Sequence, residues 1–238
     1  MLVNTHQSAA RVDLIRDRRQ LALVVALLFS SAVCVLLFSG RVIHARSFTH
    51  GGMVWNLFLA WLPMLASLAA YNLAGKGGRA TWLIIAGCAL LWLLFFPNAP
   101  YILTDLVNLR PRYNVPYWYD VLMYVAFAWT GTLLGLVSLY LMQVLVSRGR
   151  GRGAGWLFAV VALALSGFGV YLGRFPRYNS WDVFISPIDL LADIWDRVSH
   201  PLANGQMFAF SALFSLFMLS IYLVLVAVVG LRSERQEI

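Results

Sequence analysis

Six long stretches of this chain are apolar, with charged residues only at their ends: residues 21–39, 53–74, 81–96, 118–146, 156–173 and 207–230. A bilayer core of ~30 Å takes about 20 apolar residues per helical span, so the pattern predicts six transmembrane helices. The runs are continuously apolar and do not alternate, which excludes barrel strands. The expected fold is an all-α polytopic membrane bundle. It divides into a basic leader over residues 1–20, one transmembrane domain over 21–230 and a tail over 231–238. The first run follows Arg11, Arg16, Arg18 and Arg19 as in a signal peptide. It is longer than an h-region and lacks a small-x-small cleavage site, so it reads as an uncleaved anchor.

The third run has a defect. Residues 81–96 rise about 24 Å, slightly short of the bilayer core, whereas a helix continued to Leu109 would be far too long. Pro97 and Pro100 in "FFPNAPYILTDLVNL" each remove a backbone donor and clash with the preceding turn. The helix is therefore expected to unwind at "PNAP". Asn98 would cap a short new helix lying in or near the interface, ended by Pro111. Unwound backbone at membrane depth is tolerated only where it is buried in protein or faces water, which predicts a pocket or a packed lid beside it. The alternative is two prolines ending a helix as it leaves the membrane. The segment "SPIDLLADIWDRV" reads as a second surface helix. Ser186 and Pro187 start it, Asp189 completes a variant capping box, and Ile188, Leu191, Trp195 and Val198 form its apolar face. Asp189, Asp193 and Asp196 share the other face, a cation site or simply a solvated surface.

Composition agrees with this pattern. The chain has 238 residues, 61% hydrophobic and 12% charged, with a mean hydropathy of +0.76, against about 25% charged in soluble domains. Of its 18 Lys and Arg residues, eleven fall in the termini and the even loops and seven on the other face. Positive loops resist translocation, so both termini are expected to be cytoplasmic in a cell membrane. Asp105, Asp120, Asp182, Asp189, Asp193 and Asp196 then all lie on the outer side.

The net charge of +8 sits mostly beside anionic lipid and does not indicate nucleic acid. "RGRGRGAG" between two spans is a positive-inside loop, and "GKGGRAT" lacks phosphate-loop spacing. Cys34 and Cys88 are small core residues. His6, His44, His50 and His200 form no metal pair on a helix, so a zinc hydrolase is not indicated and no metal ligand is assigned. No G-x-S-x-G elbow, haem, flavin or nucleotide motif appears, and the cofactor is left unassigned. Gly131 with Gly135, and Gly169 with Gly173, make G-x-x-x-G faces. These read first as packing within one bundle and second as a dimerisation face giving a homo-oligomer.

"PRYN" occurs at residues 111–114 and 176–179, each followed by Trp and Asp: Trp118 with Asp120, and Trp181 with Asp182. This hints at a parallel duplication, which the surrounding spans do not obviously extend. "FFPNAPYILTDLVNL", then "WYD" and "GRFPRYNSWDVF", resemble the domain of unknown function 1361 family of bacterial multi-span membrane proteins. The matching motif residues are Pro97, Asn98, Pro100, Tyr101, Thr104 and Asp105, then Gly173, Arg174, Asn179, Ser180, Trp181 and Asp182. The similarity runs over roughly the third to sixth spans, and residues 2–52 are poorly covered. It implies fold and membrane location, and no activity, substrate or cofactor.

Three function classes follow. Ionisable residues are confined to span ends, which disfavours an ion-coupled transporter and leaves a carrier of a neutral solute. An outer-mouth enzyme or receptor would use Asp105, Asp120 and Asp182 as acid, base or cation ligands. Arg174, Arg177, Arg110 and Arg112 would hold an anionic head group, and Asn98, Tyr101, Asn179 and Trp181 would orient a lipid or lipid-linked envelope ligand. In the third class the same charges pair off and pin loops together in a structural or partner-binding protein. Mutually satisfied charges favour that class, and charges facing an open cavity favour a working site.

Overall fold

The computed structural model describes residues 3–111 and 115–234, with side chains over 18–111 and 115–230. Residues 112–114, which include Arg112 and the rest of the first "PRYN" copy after Pro111, the side chains of Arg11 and Arg16, and the tail side chains from residue 231 lie outside the described residues. Every described element is helical: α1 (Val3–Ala45), α2 (Gly51–Leu73), α3 (Arg79–Phe95), α4 (Asn98–Thr104), a 3-10 turn (Asp105–Asn108), α5 (Tyr117–Arg150), α6 (Arg152–Arg174), α7 (Asp182–Ile185), α8 (Pro187–Ser199) and α9 (Gly205–Glu234). Six segments are long and apolar enough to cross a membrane: Arg18–Ala45, Gly51–Leu73, Arg79–Asn108, Tyr117–Arg150, Arg152–Arg174 and Gly205–Gly230. The chain is a polytopic helical bundle.

Helix α5 is the hub, packed against α1, α2, α4, α6 and α9. One apolar core joins Cys34, Met64, Phe127 and Leu134, and a second joins Trp92, Phe96, Leu136, Met218 and Tyr222. Lipid supplies no hydrophobic drive between helices and no hydrogen bonds, so polar groups at these seams gain by pairing with one another. Several do. Trp92 donates its indole N–H to Ser138 Oγ at 3.0 Å, and the Tyr222 hydroxyl bonds Gln143 Oε1. At the end of the bundle away from α4, the Arg148 guanidinium donates to the Tyr71 hydroxyl at 2.6 Å.

The break at "PNAP" is shorter and more deeply buried than expected. Phe96 and Pro97 keep helical backbone angles, and only two residues separate α3 from α4. Nor does α4 lie in the interface, because Ala99, Pro100, Ile102 and Thr104 are all buried. The reason is the two glycine pairs. A Cβ on Gly131 would fall 2.7 Å from the Ala99 carbonyl oxygen and from Ile102 Cδ1, and one on Gly135 would fall 3.0 Å from Ala99 Cβ. From the other side, a Cβ on Gly169 would meet Pro97 at 2.8 Å, and one on Gly173 would meet Tyr101 at 3.2 Å. Both G-x-x-x-G faces thus pack inside the chain, clasping the broken helix between α5 and α6.

Asn98 is not a cap. Pro97 holds the N-cap position without a side-chain bond, and Asn98 turns its amide back to donate to the Phe95 carbonyl at 3.2 Å. That carbonyl is left over because the Ala99 N–H bonds Phe96 O instead, at 3.2 Å. Helix α8 has Ser186 at its N-cap and Pro187 in its first turn, yet Ser186 makes no side-chain capping bond. Its predicted apolar face is on the surface, with Ile188 80% and Trp195 74% exposed, as suits a helix lying at a membrane surface. Leu190 is buried, and Ile194 packs on the core of Tyr171, Leu172 and Met207.

Overpacking a tight seam costs about 1–3 kcal/mol. Gly131→Ala is expected to lower the unfolding midpoint in detergent, because the contact it meets is backbone. Gly87→Ala, where a Cβ meets nothing within 4 Å, should leave the midpoint unchanged or raise it. Thermal unfolding of the two purified variants checks this.

Candidate functional site

The two motif segments, some 80 residues apart in sequence, meet at one end of the bundle. Asn98 Nδ2 donates to Ser180 Oγ at 2.7 Å, so the first turn of α4 is tied to the loop after α6. About two turns further on, the Arg174 guanidinium at the end of α6 donates to Asp105 Oδ1 at 3.2 Å, and Asn56 Nδ2 from α2 donates to Asp105 Oδ2 at 3.1 Å. A buried carboxylate needs such partners, since desolvation of an isolated one costs several kcal/mol. Asp105 is the knot joining α2, α4 and α6.

The loop after α6 is shaped by its backbone. The Tyr178 N–H returns to the Leu172 carbonyl at 3.1 Å, and Arg177 takes a positive φ of 69° to make that turn. The Asp182 carboxylate then reaches back to the Asn179 N–H at 2.7 Å, as the acidic residue of a capping box does. This turn presents Asn179, Ser180 and Trp181 towards α2 and α4. The Trp181 ring lies 6.3 Å from that of Trp55, with the planes at 61°.

Between these elements is a cleft of about 220 Å³. Its polar lining comes from Asn56, Asn98, Tyr101, Tyr178, Asn179 and Ser180, and its apolar lining includes Trp55, Leu59, Leu94, Leu172, Trp181 and Leu190. No Asp, Glu, Lys, Arg or His is among the described residues of that lining. A second cavity of about 360 Å³ lies on the far side of Asn56, lined by His50, Asp105, Asn108, Arg110 and Tyr124 among others. His50 Nδ1 and the Tyr124 hydroxyl are hydrogen bonded there at 2.8 Å.

Of the residues singled out by sequence, Asn98, Tyr101, Asn179 and Trp181 therefore share one cleft. Arg174 and Asp105 form the ion pair behind it, and Asp105 and Arg110 face the second cavity. Asp182 closes a turn, and neither cavity's described lining includes Asp182 or Arg177. Asp120 is elsewhere. Its carboxylate is closed on Arg41 of α1 through Nε at 2.6 Å and Nη2 at 3.3 Å, the two side chains 2% and 1% exposed. The start of α5 accordingly gives the cleft no acid or base. The start of α2 supplies Trp55 and Asn56 instead, which in sequence are part of the apolar run 53–74. An amide beside a tryptophan in the opening turns of a span was the signal for them.

With this geometry in place, comparison with protein-family models matches residues 55–221 to the family described as Protein of unknown function (DUF1361). The chain belongs to this family. No curated protein and no solved structure matches it. The DUF1361 match contains every residue that lines the first cleft, whereas α1 with Arg41 precedes it. In this DUF1361 protein, α1 is joined to the matched part by a charge pair within the bundle.

Removing one member of a buried pair strands the other, at a cost of about 3–5 kcal/mol, while replacing both by apolar residues is often neutral. Asp120→Ala is expected to lose stability on that scale, and Arg41→Leu with Asp120→Leu to recover most of it. Denaturant unfolding in detergent micelles measures both.

Proposed function

We propose that this multi-pass membrane protein binds a lipid or lipid-linked molecule in the cleft between Trp55, Asn98 and Trp181. The single observation that carries the reading is the amphiphilic lining of that cleft. Amides and hydroxyls stand opposite leucines and indoles at the ends of membrane helices, and only a ligand with a polar head and an apolar tail satisfies both. Helix α8, with its apolar face outward beside the cleft residue Leu190, supports entry from the bilayer surface.

Binding fits the charges better than hydrolysis does. Asp105 is bonded to Asn56 and Arg174, Asp120 to Arg41, and Asp182 to a backbone N–H. None of the three lines the cleft as a general acid or base must. The ion pairs take the structural role, and the neutral side chains are left for a ligand.

The reading includes orientation. The excess of arginine and lysine at the termini and even loops favours a cytoplasmic position for both, which puts the cleft at the extracytoplasmic face. Ala203→Cys, in the loop before α9 and in a background without Cys34 and Cys88, should react with an impermeant maleimide added to intact cells. Gly153→Cys should react only after lysis, and the reverse pattern would turn the protein over.

For the ligand, the test is lipid retained through purification, extracted and quantified per mole of protein. Asn98→Ala and Trp181→Ala should lower specifically retained lipid by about tenfold, which corresponds to ~1.4 kcal/mol. Arg148→Ala, on the opposite face, should not. Equal retention in all four proteins sinks the proposal.

A further inference from the structure

We propose that the head group taken by this cleft is a neutral, polyhydroxylated ring, a sugar carried on lipid, and that anionic phospholipid head groups are excluded. This rests on the reading that the cleft binds an amphiphile, and adds the chemical class of its polar part.

The first ground is charge. No cationic side chain is among the described residues of the lining. Of the two arginines adjacent in the chain to lining residues, Arg174 already donates to Asp105, whose other oxygen is held by Asn56, and Arg177 is exposed on the turn outside the lining. A phosphate entering would lose water and gain no counter-charge, which is strongly unfavourable.

The second ground is hydrogen-bond polarity. An amide offers two donors and one acceptor oxygen. Both amide protons of Asn98 are already used, on Phe95 O and on Ser180 Oγ, so Asn98 has only its acceptor oxygen left to give. Asn56 has spent one proton on Asp105. The remaining groups are mixed: the Asn98 oxygen accepts, while the Ser180, Tyr101 and Tyr178 hydroxyls and the Asn179 amide of the same lining can donate. Sugar hydroxyls both donate and accept and match such a mixture, whereas phosphate only accepts and would leave the Asn98 oxygen unpaired.

The third ground is shape. The indoles of Trp55 and Trp181 pack edge to face at 61° and both line the cleft with the amides, a combination of apolar ring surface and polar groups that suits the C–H side and the hydroxyls of a sugar ring. The cleft offers about 220 Å³ beside these rings.

The experiment uses the full chain in nanodiscs, released for native mass spectrometry after equilibration with one of two lipids of identical acyl chains, monoglucosyl diacylglycerol or phosphatidylglycerol. Methyl β-glucoside in solution serves as a third arm. The glycolipid should be retained at least about tenfold over phosphatidylglycerol, Trp181→Ala and Asn98→Leu should each abolish that preference, and the soluble glycoside should compete weakly. Phosphatidylglycerol retained equally or better overturns the sugar inference while leaving lipid binding intact. Methyl glucoside bound as tightly as the glycolipid overturns the lipid carriage. Retention of none of the three, in a wild-type protein with a normal unfolding transition, removes the lipid reading as well.

Discussion

The structure depends on one constraint: a helix interrupted within a membrane protein must have its freed carbonyls satisfied by protein, because lipid offers no donor. Pro97 and Pro100 bring no N–H, so the ladder between α3 and α4 shifts to the shorter Ala99 to Phe96 bond, and Phe95 O is left over. Asn98 closes that gap with its own side chain. The same amide then reaches Ser180, so the repair of the break is also the bond that draws the loop after α6 over it. Glycine makes this compact. Without the faces at Gly131 and Gly169, contacts of 2.7–2.8 Å would hold α4 away from both neighbours, and the cleft lining would come apart.

Charge in this bundle is used for assembly. Arg41 with Asp120 ties α1 to α5, and Asp105 with Arg174 and Asn56 ties α2, α4 and α6 together. Each pair is internally neutral, so the cleft beside them sees little net field despite a chain charge of +8. Neutral surroundings and leftover acceptors follow from the same arrangement. The two amide protons of Asn98 are spent on holding the break closed.

Much of this was legible in residues. Six apolar runs of bilayer length dictated six helices, and two prolines placed the break to within a residue. The crowding of Asn, Arg and Asp at two distant span ends pointed to their meeting. What sequence could not supply was pairing. Asp105, Asp120 and Asp182 look alike as letters, yet one is knotted among three helices, one is sealed against α1 and one folds back on its own loop. The partners of Asp105 and Asp120 lie 49 to 79 positions away, a distance no local pattern encodes, and only Asp182 bonds within its own turn. Trp55 and Asn56 were hidden for the opposite reason, because one amide scarcely changes the hydropathy of a 23-residue helix.

The α1–α5 seam shows why the cleft can be treated as a unit of its own. That seam is polar along its length: Ser30 Oγ to Thr130 Oγ1 at 2.6 Å, Cys34 Sγ to the same hydroxyl at 3.3 Å, the Tyr119 hydroxyl to Leu37 O at 2.8 Å, and the Arg41–Asp120 pair. In a bilayer such bonds hold helices together where apolar contact alone discriminates little between partner and lipid. None of these residues lines the cleft. Weakening the seam should therefore loosen α1 first, while the clasp of α5 and α6 on α4, made by glycine contacts and the Asp105 knot, keeps the lining in register. The residues that hold α1 in place are thus distinct from those that line the cleft, so the seam can be altered without changing the lining.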